Sequence, residues 1–133
     1  MLMQASNVPT RSAKECAWVL LVDDHEDGRE LLGEFLTFNG YKVEGCASGE
    51  DALELVAKLG CPGVVITDLS LGMMSGSDLA RRLRRETKTA TIPILAVTGH
   101  ASFDDPEHLF DAVLVKPVAL SDLSALLERA SCR

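Results

Sequence analysis

VVITDLSLGMMSG (residues 64–76) carries the first decision about the fold. Val64, Val65, Ile66 and Thr67 form the short, unbroken apolar and β-branched run expected of a strand buried on both faces. The run ends on an acid, Asp68, and a glycine-spotted loop follows. A carboxylate at the mouth of a buried sheet is expensive unless it has partners. What Asp68 means therefore depends on how the other strands end.

The same grammar repeats on either side of this stretch. WVLLV (18–22) is continuously apolar and predicts a second fully buried strand. YKVEG (41–45) alternates apolar and polar residues, as an edge strand does, while IPILAV (92–97), with its proline at the start, and AVLV (112–115) supply two more strands. Between them lie helical patterns. One runs from Asp27 to about Phe38, with Leu31, Leu32, Phe35 and Leu36 on one face and Asn39-Gly40 as its stop. The next is capped by Ser48, with Asp51 as capping-box partner, and faces Ala52, Leu55, Val56 and Leu59 inward. A third is capped by Ser77, turns Leu79, Ala80 and Leu83 inward and leaves Arg81, Arg82, Arg84 and Arg85 as a solvated face. The last opens at Ser121 and carries Leu123, Leu126, Leu127 and Ala130 on one side. SFDDPEHLF (102–110) is the least helical connection, with room for about one turn at Asp105-Pro106. Strands alternating with helices predict an α/β fold of five βα units on a parallel sheet with right-handed crossovers.

The chain's 133 residues suggest one domain, here residues 16–133, behind a flexible N-terminal tail over residues 1–15. A net charge of −7 argues against a nucleic-acid-binding surface. No apolar run is long enough to span a membrane, and MLMQASNVPTRSAKECA lacks the apolar core of a signal peptide. Cys16, Cys46, Cys61 and Cys132 form no CxxC pair, so reduced thiols in a cytoplasmic protein are expected. His25, His100 and His108 share no ligand spacing, and a zinc site is not expected.

In open parallel sheets the functional crevice lies beyond the carboxyl ends of the strands. There the first strand delivers Asp23 and Asp24, the third Asp68, the fourth Thr98 and the fifth Lys116. Carboxylates roughly 5 Å apart at an effective dielectric of 20 repel by about 3 kcal/mol per pair. A hard divalent cation relieves this, and Mg²⁺ takes carboxylates, waters and phosphate oxygens. With Lys116, it balances the three acids. These groups suit phosphoryl transfer, with Asp68 as nucleophile, Asp23 and Asp24 holding Mg²⁺, and Lys116 and the Thr98 hydroxyl binding phosphoryl oxygens.

With VLLVDDHE, ITDLSLGMMSG, LAVTGH and VLVKPV in this order, residues 17–131 resemble the receiver domain of two-component response regulators, proteins of the CheY-like kind. The resemblance implies a three-layer, flavodoxin-like (βα)5 fold with sheet order 2-1-3-4-5, an order the chemotaxis receiver exemplifies. It also implies phosphoryl transfer to Asp68 from a sensor histidine kinase or a histidine phosphotransfer protein. By the same resemblance the backbone carbonyl of Ser70 joins Asp23, Asp24 and Asp68 as a metal ligand, Thr98 is the switch hydroxyl, and the Lys116-Pro117 bond is cis. His100 borders the site, and the acids Glu26, Asp27, Glu30 and Glu34 lie on or beside the helix that faces the kinase. Three departures stand out: Gly72 replaces the usual proline after the acceptor, Val113 replaces the usual aromatic before the lysine, and the Thr98-to-Lys116 interval is shorter than usual. They bear on the switch and on dimerisation rather than on phosphorylation.

The chain ends just after its last helix, so signalling is expected to run through an unidentified downstream protein, or through service as a phosphate sink in a relay. No separate substrate is expected to be turned over; the receiver phosphorylates and dephosphorylates itself. A haloacid dehalogenase-type phosphatase uses similar groups but places its nucleophile motif first and its acidic pair last, the reverse of this chain. A degenerate receiver that docks without phosphate is the remaining alternative, and the presence of both Asp68 and Lys116 weighs against it.

Overall fold

The computed structural model describes residues 18–130, so the expected tail over residues 1–15 lies outside the described residues. The strands are β1 (Val19–Val22), β2 (Val43–Cys46), β3 (Val64–Asp68), β4 (Ile94–Thr98) and β5 (Ala112–Val115). The helices are α1 (Glu26–Phe38), α2 (Gly49–Leu59), α3 (Gly76–Arg85) and α4 (Leu120–Ala130). All strand pairs are parallel and the sheet runs β2-β1-β3-β4-β5, the predicted order. Strands β1, β3 and β4 are buried at every residue, which is why their sequences read as unbroken apolar runs.

Strand alternation divides the core into two layers. Leu20, Val22, Val65 and Ile94 face α2 and α3, where Ala52, Leu79, Ala80 and Leu83 meet them. Val19, Leu21, Val64, Ile66, Leu95 and Val97 face the other way, against Leu36 of α1 and Leu123 and Leu127 of α4. Each switch of face arises from the period of two along a strand.

The helix stops and starts have identifiable causes. After α1, Gly40 takes a positive φ of 94°, and its N–H and that of Tyr41 bond back to the carbonyls of Thr37 and Leu36 (2.9 and 3.0 Å), closing the end with a left-handed cap. Ser48 caps α2 by accepting from the Asp51 N–H (3.1 Å). The cap of α3 is Ser75, not Ser77. Ser75 Oγ accepts from the Asp78 N–H (3.0 Å), and the Asp78 carboxylate accepts from the Ser75 N–H (3.2 Å). The reason is positional: Ser75 has an acid three residues on, whereas Ser77 has Ala80. Helix α4 starts at Leu120, so Ser121 lies in its first turn rather than ahead of it.

Among the described residues, the five expected βα units become five strands and four helices. The connection from β4 to β5 contains turns alone. Asp105 and His108 hold positive φ values of 51° and 55° there, which no helix accommodates. The Asp105 carboxylate binds the N–H groups of Leu109 (2.9 Å) and Phe110 (3.0 Å) and organises the segment in place of a helical ladder. Leu109 and Phe110 then pack on the α2–α3 side of the core.

Other expectations shift at the surface. Leu31 and Leu59, placed inward by periodicity, are exposed (70% and 49%), and the edge strand covers Val43–Cys46 rather than 41–45. Arg84 departs furthest from the solvated face predicted for it. Its guanidinium binds the carbonyls of Ala90 (3.1 Å), Ile92 (2.6 Å) and Leu109 (2.8 and 3.1 Å) and the Asp111 carboxylate (3.0 Å). It thereby ties the end of α3 to the approach to β4 and to the turn before β5. Cys46 and Cys61 are free thiols, and among the described residues no helix is long and apolar enough to cross a membrane.

Candidate functional site

The strand ends converge as the parallel sheet requires. Asp23 follows β1, Asp68 ends β3, Thr98 ends β4 and Lys116 follows β5, all at one rim. Asp68 is 5% exposed, and Lys116 Nζ donates to its Oδ2 at 3.1 Å. The carboxylates of Asp23, Asp24 and Asp68 and the imidazole of His25 each place a ligand atom within 4.8 Å of the others. The pair at the end of β1 divides its exposure: Asp23 is buried (8%) and Asp24 faces solvent.

Local backbone chemistry holds this corner. The His25 N–H donates to Asp23 Oδ1 (2.9 Å), and Arg29, one turn into α1, donates to the Asp23 carbonyl (2.8 Å). The Asp68 carbonyl accepts from the Thr67 hydroxyl (2.9 Å), and the Gly76 N–H returns to the Leu69 carbonyl (2.9 Å), closing the loop after β3. Only glycine fits at residue 76, because a Cβ there would collide with the Asp68 carbonyl oxygen and crowd Leu69 Cα (2.9 Å).

Asp68 has its carboxyl pushed up to about 6, first by burial and then by its hydrogen bond with Asp23; Lys116 pulls the other way. One ammonium therefore undercompensates the acids. This is the condition a bound cation relieves, and the carboxylate donor set fits a hard divalent ion. Ser70, the remaining expected ligand, is exposed in the loop two residues past Asp68.

Thr98 is buried (4%), and its hydroxyl accepts from the His100 N–H at 3.0 Å. Its carbonyl accepts from the Lys116 N–H (2.8 Å), so the hydroxyl-bearing and lysine-bearing strand ends are fastened to each other. The Lys116-Pro117 bond is cis, as the resemblance implied. Val113, at the place of the usual aromatic, is half-buried in β5. Beside the acids a cleft of about 580 Å³ opens between α1 and α4, with Asp68 and Lys116 at its floor and Leu31, Pro117, Val118 and Leu120 along its walls.

Sequence reasoning missed His25, Arg29 and Gly76 as parts of this corner. His25 had a signal, its position directly after the acidic pair. A search for spaced histidines and cysteines passes over it, because its partners come from a carboxylate pair and another strand. Arg29 and Gly76 act through backbone atoms and leave no pattern in side-chain types.

Residues 19–128 match the family model of the response regulator receiver domain. The chain belongs to the response regulator receiver family. Among curated relatives, the response regulator MprA of Mycobacterium sp. (strain KMS) is 36% identical over 121 residues, covering 85% of this chain and 51% of the relative. The sensor histidine kinase RcsC of Salmonella typhi is 30% identical over 122 residues, covering 89% of this chain and 13% of the kinase. The chain thus spans about half the length of the MprA proteins it matches. Among solved structures, the chemotaxis response regulator CheY4 of Vibrio cholerae superposes with a TM-score of 0.77 at 30% identity, covering 86% of this chain and 98% of that one. The receiver domain of a sensor histidine kinase from Pseudomonas aeruginosa, which has a magnesium ion coordinated in its active-site cleft, superposes at 0.76 with 26% identity over 85% of this chain and 95% of that one. As a receiver, the protein is part of two-component signal transduction.

Proposed function

We propose that this receiver accepts a phosphoryl group on Asp68 from a phosphohistidine of a sensor kinase or a histidine phosphotransfer protein, in a reaction that needs Mg²⁺. The single observation that carries the reading is the acid corner itself: Asp68 at the end of β3, bonded to Lys116 Nζ at 3.1 Å and gathered with Asp23, Asp24 and His25 within 4.8 Å. A carboxylate so placed is a nucleophile with its countercharges prearranged. Asp24, Asp68, the buried Asp23 and the Ser70 carbonyl would hold the ion, which supplies positive charge to the phosphoryl oxygens when bound.

The chain's own groups account for the rest. Asp68 presents one oxygen to phosphorus, forming the O–P bond as the P–N bond to the donor histidine breaks. Lys116, released from its direct bond to the free carboxylate, takes a phosphoryl oxygen. Thr98 has its hydroxyl engaged by the His100 N–H, and turning that hydroxyl to the phosphoryl group gives up this bond. The response thus reaches the β4–β5 connection through residue 100 rather than through an aromatic side chain on β5. The cleft beside the site, with Leu31 and Leu120 exposed (70% and 41%), suits the apolar helical face of a donor protein. No separate substrate is turned over; hydrolysis of the aspartyl phosphate resets the domain. The reading places the protein in the cytoplasm, where such donors reside.

The test is intact mass after incubation with acetyl phosphate and Mg²⁺. A gain of about 80 Da, absent in Asp68→Asn and absent with EDTA, supports metal-dependent aspartyl phosphate formation. A folded protein that gains no mass would turn the assignment toward a docking module that works without phosphate.

A further inference from the structure

The histidine beside the acidic pair stands at the N-cap position of α1, and its side chain makes no capping bond there. We propose that the His25 imidazole is a ligand of this site and gives it a preference for borderline first-row divalent ions, of the Co²⁺, Ni²⁺ and Zn²⁺ kind, over Mg²⁺. The proposal rests on the reading of the acid corner as a metal site and adds to it a ligand that determines which metal is held.

The spacing is that of a coordination shell about to close. His25 Nδ1 lies 3.1 Å from Asp24 Oδ1 and 3.6 Å from Asp23 Oδ1. Ligands at about 2.1 Å from an octahedral ion sit about 3.0 Å apart when adjacent and about 4.2 Å when opposite. The set that spans up to 4.8 Å here needs to contract by about half an ångström in its longest separation. His25 is also prepared for the role by its backbone, which is extended at φ −92°, ψ 116° and anchored by its own N–H to Asp23 Oδ1. Its side chain is 76% exposed and pairs with the two acids, so the ring can swing onto an ion without abandoning packing in the core.

The chemistry of the ring then sets the selectivity. Mg²⁺ takes oxygen ligands and keeps its waters, and an imidazole nitrogen adds little to its binding. Cobalt, nickel and zinc ions bind imidazole well and stand above the hard ions in affinity for mixed nitrogen and oxygen sites. Carboxylates from Asp24 and Asp68 serve both classes, so His25 is the element that separates them. Because His25 also lines the cleft beside Asp68, an ion held by its ring stands at the mouth of the acceptor site and competes with Mg²⁺ there.

The deciding experiment is calorimetric titration of the untagged chain with Mg²⁺ and with Co²⁺, in one buffer at constant pH, for wild type, His25→Ala and Asp24→Asn. The visible d–d spectrum of the Co²⁺ form is recorded alongside. His25→Ala is expected to lose about tenfold or more in Co²⁺ affinity, a loss on the scale by which altered ligand surroundings change metal binding. Its d–d bands should shift, and its Mg²⁺ affinity should stay within about twofold. Asp24→Asn is expected to weaken both ions. The proposal is overturned by Co²⁺ binding indifferent to His25→Ala, by Co²⁺ binding that survives Asp24→Asn and so lies elsewhere, or by an equal loss of both ions, which marks a structural effect. Failure of wild type to bind Mg²⁺ strikes the acceptor-site reading instead. Intact Mg²⁺ binding with Co²⁺ blind to His25 strikes this inference alone.

Discussion

The acid corner at the ends of β1 and β3 sits on the rim from which the connection between β4 and β5 departs after Thr98, yet the two are built on opposite terms. In the corner every expected residue type is present, and Asp68 and Lys116 meet at 3.1 Å. In the connection the helix is missing and Asp105 and Arg84 supply the order, and in β5, to which it leads, Val113 stands where an aromatic was expected. Chemistry at phosphorus needs particular atoms at particular separations, so it tolerates little substitution. Transmitting the result needs only a segment with two arrangements and a partner able to tell them apart, and many sequences meet that requirement.

Four measurements put this contrast at risk. The largest effect is expected in the corner: Lys116→Met should lower the rate of phosphoryl uptake from acetyl phosphate by about 100-fold, the loss typical of removing one charge-stabilising donor. Near-normal uptake would show that the Lys116–Asp68 contact is structural. At the opposite edge of the sheet, where β4 and β5 begin, Arg84→Ala should cost about 2–3 kcal/mol in urea unfolding, since it strands the carbonyls of Ala90, Ile92 and Leu109. Its phosphoryl uptake should stay within about threefold of wild type, well short of the effect of removing a direct transition-state contact; a collapse of uptake would erase the division between the two regions.

A smaller effect concerns pH. Asp68 has a folded-state value of about 6 against an ordinary 3.8, so the folded protein binds its proton more tightly than the unfolded chain. The associated stability is fully present below the unfolded value and is lost as pH rises through about 6. In metal-free protein this decline should be on the order of 1–2 kcal/mol, with the rim's solvation reducing it. Asp68→Asn should flatten the decline, and added Mg²⁺ should do the same for wild type. The smallest effect belongs to Arg82, which is exposed on α3. Arg82→Ala should change stability by about 0.5 kcal/mol or less, a control that sets Arg84 apart from its neighbours.

The layers of this fold are legible in the chain because burial on both faces writes an unbroken apolar run, as in Val19–Val22 and Val64–Thr67. The rim is legible for a similar reason: a parallel sheet brings its strand ends to one side, so Asp23, Asp68, Thr98 and Lys116 could be grouped without coordinates. The features that stayed hidden act through backbone atoms. Ser75 and Ser77 differ only in whether an acid stands three residues later. Arg84 reads like Arg82 until carbonyls from segments distant in sequence come within reach of its guanidinium. Gly76 is required by a carbonyl oxygen, and Asp105 by two N–H groups. Leu31 satisfies helical periodicity yet faces the open cleft, because periodicity assigns a face and not the neighbour that covers it.

The Arg84 tie has a consequence for how the protein opens. Among the described residues, strand β5 lies at the edge of the sheet, pairs with β4 alone, and ends on the exposed Val115 (43%). With no helix joining β4 to β5, its attachment on the α2–α3 side relies on Leu109, Phe110 and the guanidinium that holds Leu109 and Asp111. Such a margin can detach and reclose while β1 and β3 stay shut, so its backbone amides should exchange with solvent deuterium well before theirs. Lys116 comes directly after that strand. Under the proposed reading, opening of this margin would move the ammonium that faces Asp68 and join the lifetime of an aspartyl phosphate to the local opening of a strand.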